Sequence, residues 1–184
     1  MVERSFDQIL EKAKAGDGRA FEELYESMHR RVYAFAAARG AADPEALMND
    51  AFLKVFTNIA VFVGNEAQFG GWVFKIARNQ IIDEFRRQER RVDESDLDEA
   101  NEASAATGNV ESEAFARMGD EWVAAQLEVL TAEQRDVVVL RVVSNLTIEE
   151  IADVMGKRIG AIKALQRRAF RTLARHLDRQ AVPQ

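Results

Sequence analysis

Apolar side chains recur along most of this chain at intervals of three and four, the spacing that lays one stripe along an α-helix. Ser5-Phe-Asp-Gln8 has the form of a capping box, and Phe6, Ile9, Leu10 and Ala13 follow on one face, with Gly16 placed to end the helix. Asp17 then caps a second stripe of Phe21, Leu24, Tyr25, Met28, Val32 and Phe35, closed by Gly40. Asp43-Pro44 sets a cap residue before a proline at the first helical position, and Leu47, Ala51, Phe52, Val55 and Phe56 continue from it. The glycine-bearing stretch 63–71 reads as a loop, after which a fourth helix is expected from Trp72 to Arg87, burying Val73, Phe74, Ala77, Ile81 and Phe85.

The pattern then lapses. Residues 92–121 are acidic, rich in Ala, Ser and Asn and poor in large apolar side chains, so they cannot offset their ordering entropy by burial and read as a linker; only Val110–Met118 has the makings of a marginal helix. Helical spacing resumes with two more capping boxes, Thr131-Ala-Glu-Gln134 and Thr147-Ile-Glu-Glu150. From the second, Ile148, Ile151, Ala152 and Met155 share a face, Gly156 ends the helix, and a last helix is expected from about Gly160. That layout is a helix-turn-helix. The reading is all-α: two small helical domains, 1–91 with four helices and 122–184 with the helix-turn-helix, joined by the acidic linker 92–121.

Charge sharpens this picture. The net charge of −6 argues against a nucleic-acid partner until it is divided along the chain. Residues 1–91 balance 14 basic against 14 acidic side chains, 92–121 hold one basic against ten acidic, and 151–184 hold eight basic against two acidic. The acidity belongs to the linker, and the C-terminal end is cationic. No cysteine is present, which excludes disulfides and thiolate-ligated zinc. No stretch approaches the ~20 apolar residues needed to span a bilayer, so no membrane insertion and a cytoplasmic location are expected.

Two helix faces carry candidate chemistry. In the last helix Ile162, Leu165, Ala169, Leu173 and Leu177 gather on one side, with Lys163, Arg167, Arg171 and Arg175 opposite. Cationic faces are usually just solvated, but this one lies on the helix that enters the major groove in a helix-turn-helix. Arg158, Lys163, Ala164, Arg167 and Arg168 fall at its N-terminal part, where base edges are read, and Arg171 is placed for phosphate. On the fourth helix Lys75, Asn79, Asp83 and Arg86 line up with Trp72, a mixture of cation, amide and aromatic suited to unpaired DNA. Asn65 and Gln68, between glycines of the preceding loop, could frame a pocket for an extruded base.

Catalysis finds no constellation. Glu26 and His29 form half of a di-iron motif whose second half is missing, because Leu173 stands where His176 would need a glutamate. Asp93, Asp96, Asp98 and Glu99 lack the spacing of a calcium loop. Neither a metal nor another cofactor is expected.

Ala46–Phe56, Phe69–Asp83 and Arg86-Arg87 resemble region 2 of the sigma-70 family of RNA polymerase sigma factors. Leu130–Arg135, Leu140-Arg141, Leu146–Gly156 and Gly160–Lys163 resemble region 4, and the two-domain size is similar to that of the extracytoplasmic-function (ECF) group. The resemblance implies that Asn49, Asp50 and Lys54 meet core RNA polymerase, that the fourth helix and its loop melt the promoter's minus-ten element, and that the helix-turn-helix reads the minus-thirty-five element in duplex form. It also implies an anti-sigma factor as a further partner. Gly70 after Phe69, Leu165-Gln166 in the last helix and Thr131-Ala-Glu ahead of Gln134 depart from the family pattern, so base preference does not carry over. Two promoter elements about two DNA turns apart are separated by roughly 70 Å. A flexible thirty-residue linker averages roughly 30 Å and reaches about 100 Å when extended. It must therefore be stretched to serve both. The alternative reading is a dimeric helix-turn-helix regulator with residues 1–91 as sensor or dimerisation bundle.

Overall fold

A computed structural model of the chain describes residues 5–94, 122–123 and 125–180. Four helices make up the N-terminal half: α1 (Phe6–Lys14), α2 (Gly18–Ala38), α3 (Pro44–Asn58), which runs into a short 3-10 turn at Ile59–Val61, and α4 (Glu66–Glu94). The C-terminal half contains α5 (Ala132–Val142), α6 (Ile148–Met155) and α7 (Ile159–Gln180), preceded by helical residues at 122–123 and 125–127. No strand occurs among the described residues.

The caps are where the residue pattern places them. Ser5, Thr131 and Thr147 each accept from the backbone amide three residues on, while Gln8, Gln134 and Glu150 reach back to the cap. Asp17 and Asp43 cap α2 and α3, with Pro44 at the start of α3. Gly156 ends α6 in the left-handed conformation at φ 63°, which costs glycine nothing and a side chain strain.

α2, α3 and α4 pack around Val32, Phe35, Val55, Phe69, Phe74 and Ile81, all essentially inaccessible. Phe35 and Phe74 meet edge to face at 5.7 Å, the arrangement favoured by the ring quadrupoles. In the other half α5 and α6 pack on α7 through Val137, Val139, Leu140, Ile151 and Ile162. The two halves are not apart. α4 packs along α6 and α2 touches α5, so buried residues of both halves form one hydrophobic cluster.

Several expectations are corrected. α4 begins at Glu66, six residues before Trp72, because Asn65 and Gln68 form a reciprocal cap: Asn65 Oδ1 accepts from the Gln68 amide at 3.0 Å and Gln68 Oε1 from the Asn65 amide at 2.9 Å. Gly70 and Gly71 are helical, facing Met28 and Val154 across gaps in which an added Cβ would make ordinary contact, at 3.7 and 4.0 Å. At its other end α4 continues to Glu94, into residues expected as linker. The linker from 95 to 121, with the expected helix at Val110–Met118, lies outside the described residues. Phe56 and Phe85 are partly rather than fully buried, and Leu177 is 42% exposed because the last turns of α7 run beyond the helices it packs on.

Thr147→Ala should cost about 1 kcal/mol, read as a lower urea midpoint, and Thr147→Asp, which can still cap, should retain most of it. Equal midpoints for all three chains would contradict the capping assignment.

Candidate nucleic-acid interface

The turn between α6 and α7 is fixed from several sides. The Lys157 amide donates to the Ala152 carbonyl, and Lys157 Nζ meets Glu133 at 2.8 Å, tying the turn to α5. Arg141 donates to the Leu146 carbonyl at 2.7 Å, bracing the connection before α6, where Asn145 adopts a left-handed φ of 52°. α7 is then held by Ile162, Leu165 and Ala169, all buried. Arg158, Lys163, Arg167, Arg168 and Arg171 consequently project into solvent, with Ala164 half-buried among them. None of these five cations is ion-paired with another described residue. The first turn of α7 holds no acidic residue.

On α4, Lys75, Asn79, Asp83 and Arg86 are all exposed on one side. Asp83 and Arg86 stand 4.0 Å apart, a solvated pair of little energetic consequence. Trp72 is only half available. It stacks on buried Phe62 at 5.1 Å and 25° and meets Phe69 at 6.0 Å, so one face of the indole belongs to the core. Asn65 and Gln68 are exposed, but their side chains are engaged in capping α4. In this arrangement they brace the start of the helix, and a base could reach them only by replacing those bonds.

Asn49, Asp50 and Lys54 are exposed along α3. Asp50 and Lys54 share with Asp83, Arg87 and Gln80 the lining of a groove of about 520 Å³ between α3 and α4. The residues anticipated for polymerase and those anticipated for DNA thus adjoin on one surface. Glu26 and His29 lie 3.6 Å apart, with the imidazole stacked on Tyr25, and no group of described residues could hold a metal ion.

One cluster is not anticipated by the residue pattern. Asp136, in the second turn of α5, is 1% exposed and lies between two guanidiniums of the other half. Arg39, which caps the C-terminus of α2, places Nε 2.6 Å from Oδ1, and Arg78 of α4 donates from Nε to Oδ2 at 2.8 Å. The Arg39 contact lacks hydrogen-bond alignment and acts as a charge contact. Burial pushes the Asp136 carboxyl up against the pull of Arg39 and Arg78, and burial likewise lowers Arg39. Dehydration therefore weighs on both sides of the cluster. Nearby, Arg31 of α2 donates to the Ser144 carbonyl and lies over the Phe74 ring, facing the charge of Glu150.

These features define a helical protein with a helix-turn-helix on one half and a second polar and aromatic helix face on the other. Residues 24–91 match the family profile of sigma-70 region 2, and residues 126–175 match that of sigma-70 region 4. The chain belongs to the sigma-70 family. It is 34% identical to the ECF RNA polymerase sigma factor BldN of Streptomyces coelicolor over 95% of this chain, and spans 66% of that protein's length. Among solved structures it resembles the sigma factor RpoE of Bartonella quintana bound to the anti-sigma factor NepR, with a TM-score of 0.66, 25% identity, and coverage of 86% of this chain and 96% of that one. CnrH in complex with the cytosolic domain of CnrY has a TM-score of 0.72 at 21% identity, over 94% of this chain and 97% of that one, a likeness of fold.

Lys163→Ala and Arg167→Ala should each weaken binding to duplex DNA carrying the cognate site by roughly tenfold, and each phosphate-binding cation removed should flatten the salt dependence by about one unit of log–log slope. Unchanged affinity and slope in both variants would remove α7 from the interface.

Proposed function

We propose that this chain is an alternative sigma factor of the ECF group: it binds core RNA polymerase, directs it to promoters and helps to open the DNA, acting by binding and without chemistry of its own. The observation that carries this is the order of the two matched regions, each bearing its own exposed nucleic-acid face, α4 in region 2 and α7 in region 4. A dimeric regulator accounts for α6 and α7 but gives residues 24–91 no reason to match region 2.

The two exposed faces support a division of labour. Residues 1–91 act as the polymerase and minus-ten domain, with Asn49, Asp50 and Lys54 toward polymerase and Trp72, Lys75, Asn79, Asp83 and Arg86 toward the separated strands. Asn65 and Gln68 border that surface from the start of α4. Residues 122–184 act as the minus-thirty-five domain, with Arg158, Lys163, Ala164, Arg167, Arg168 and Arg171 on the duplex, and 92–121 connect the two. No helix among the described residues is long and apolar enough to cross a membrane, which fits work on chromosomal DNA in the cytoplasm. The structure of RpoE with the anti-sigma factor NepR supports an anti-sigma factor as a third partner.

Two measurements check this reading. The chain should bind core polymerase as a monomer and support run-off transcription from its promoter, whereas a stable dimer indifferent to polymerase would overturn the proposal. Lys75→Ala with Asn79→Ala should leave polymerase binding intact but reduce permanganate reactivity of minus-ten thymines by tenfold or more, and a template mismatched over that element should restore transcription. Failure on both templates would mean that α4 acts elsewhere than in melting.

A further inference from the structure

We propose that the groove between α3 and α4 is a binding site for a linear polyamine, and that its occupancy covers part of the surface turned toward polymerase. The second half of that statement rests on the sigma-factor reading above.

The groove is acidic on both walls. Four of its lining residues are carboxylates, Asp43 and Asp50 on the α3 side and Asp83 and Glu84 on α4, against two cations, Lys54 and Arg87. Arg87 is drawn back along its own helix, where Nε donates to the Asp83 carbonyl at 3.1 Å. The surplus of negative charge favours a cationic guest. A divalent metal fits poorly, because no group of described acids converges closely enough to hold one. Carboxylates strung along a groove instead match a guest whose charges are strung along a chain. Asp43 and Asp50 stand two turns apart, about 10 Å at 1.5 Å per residue. Between them the lining is apolar, with Ala46 and Leu47 placed to take the methylenes that separate a polyamine's nitrogens.

The acids alone would describe a solvated rim, and Gln80 is what marks a site. It lines the groove at 8% exposure, and its Oε1 is buried with no hydrogen-bond partner. Buried amides are ordinarily paired, and an unpaired one is costly. Packing does not call for the amide, since Ala77 and Ile81 beside it on α4 are wholly buried and apolar. A half-turn of the amide presents the oxygen to the groove, where it accepts from an ammonium, a group with three donors and no acceptor.

The walls are already fixed. Glu84 accepts from the Ala42 amide at 3.2 Å, tying the residues before α3 to α4, and Asp43 Oδ1 caps α3 through the Ala46 amide. The volume of about 520 Å³ lies within the range of small-molecule sites. Asp50 and Lys54, assigned above toward polymerase, belong to the same lining, so a polyamine held there and polymerase compete for one surface.

Calorimetric titration of spermidine into the full chain should show saturable binding of one molecule per chain. Gln80→Leu leaves every charge in place, so diffuse attraction to the acidic stretch 92–121 survives it, while binding at the groove should weaken about tenfold through the lost hydrogen bond to a charged donor. Asp43→Asn, which still caps α3, should weaken it severalfold. Spermidine should also raise the apparent Kd for core polymerase severalfold, and much less in Gln80→Leu. Equal spermidine affinity in all three chains would overturn the proposal. Were the groove to serve a lysine or arginine of a protein partner instead, spermidine would not bind the free chain and Gln80→Leu would itself weaken polymerase binding; either result overturns it. A chain that binds spermidine as described but never binds polymerase would sink the sigma-factor reading instead, so the two failures are distinguishable.

Discussion

Where the two halves of this protein pack together, a buried carboxylate sits between two guanidiniums beside the apolar contact of α4 with α6. Asp136 is 1% exposed, and among the described residues its ion-pair partners are Arg39 and Arg78, which come from α2 and α4 of the opposite half. Removing either side would leave buried charge uncompensated, a cost of about 3–5 kcal/mol for pairs of this kind. The rest of the arrangement is consistent with that constraint. α4 turns Gly71 and Arg78 toward the C-terminal half, and Arg39 can reach inward because α2 ends there, its guanidinium lying over the Phe85 ring.

With these inward faces committed, the outward faces are left to the partners. Capped helix starts at Thr131 and Thr147, the left-handed stop at Gly156 and the Lys157 to Glu133 pair hold α7 at a fixed angle, so its cations project as a set. On the other half, the stack of Trp72 on Phe62 fixes one side of the indole and presents the other beside Lys75 and Asn79. Rigid presentation matters for reading DNA, because side chains already held in place lose less entropy on binding.

Local signals were legible in the sequence, and non-local ones were not. The cap residues, the apolar stripes and the glycine stops depend on neighbours within a turn, and they place most helix boundaries within a few residues. Region 4's cationic face follows from spacing alone. Asn65 and Gln68 show where local reading failed: the glycines at 70 and 71 suggested a loop and hid a capping box of the same form as those at Ser5, Thr131 and Thr147. Those glycines lie within the helix, where an added Cβ would meet Met28 and Val154 only at ordinary van der Waals distance. The Asp136 cluster left no local trace, since one acid in the second turn of a helix and arginines on two others resemble solvated side chains until folding brings together Arg78 and Asp136, 58 positions apart. A signal was present in retrospect: Asp136 directly precedes Val137, Val138, Val139 and Leu140, and an acid adjoining so apolar a run is a candidate for burial with a partner.

The proposed function requires that α4 of region 2 and α7 of region 4, on halves packed together here, meet two elements of one promoter. Energy transfer between dyes on exposed positions of α3 and α7, chosen away from Asn49, Asp50, Lys54 and the α7 cations, measures this directly. The account predicts efficient transfer in the free chain and a fall toward a separation of about 70 Å when polymerase and promoter are added. A separation already that long in the free chain, or one that stays short in the transcribing complex, would contradict it.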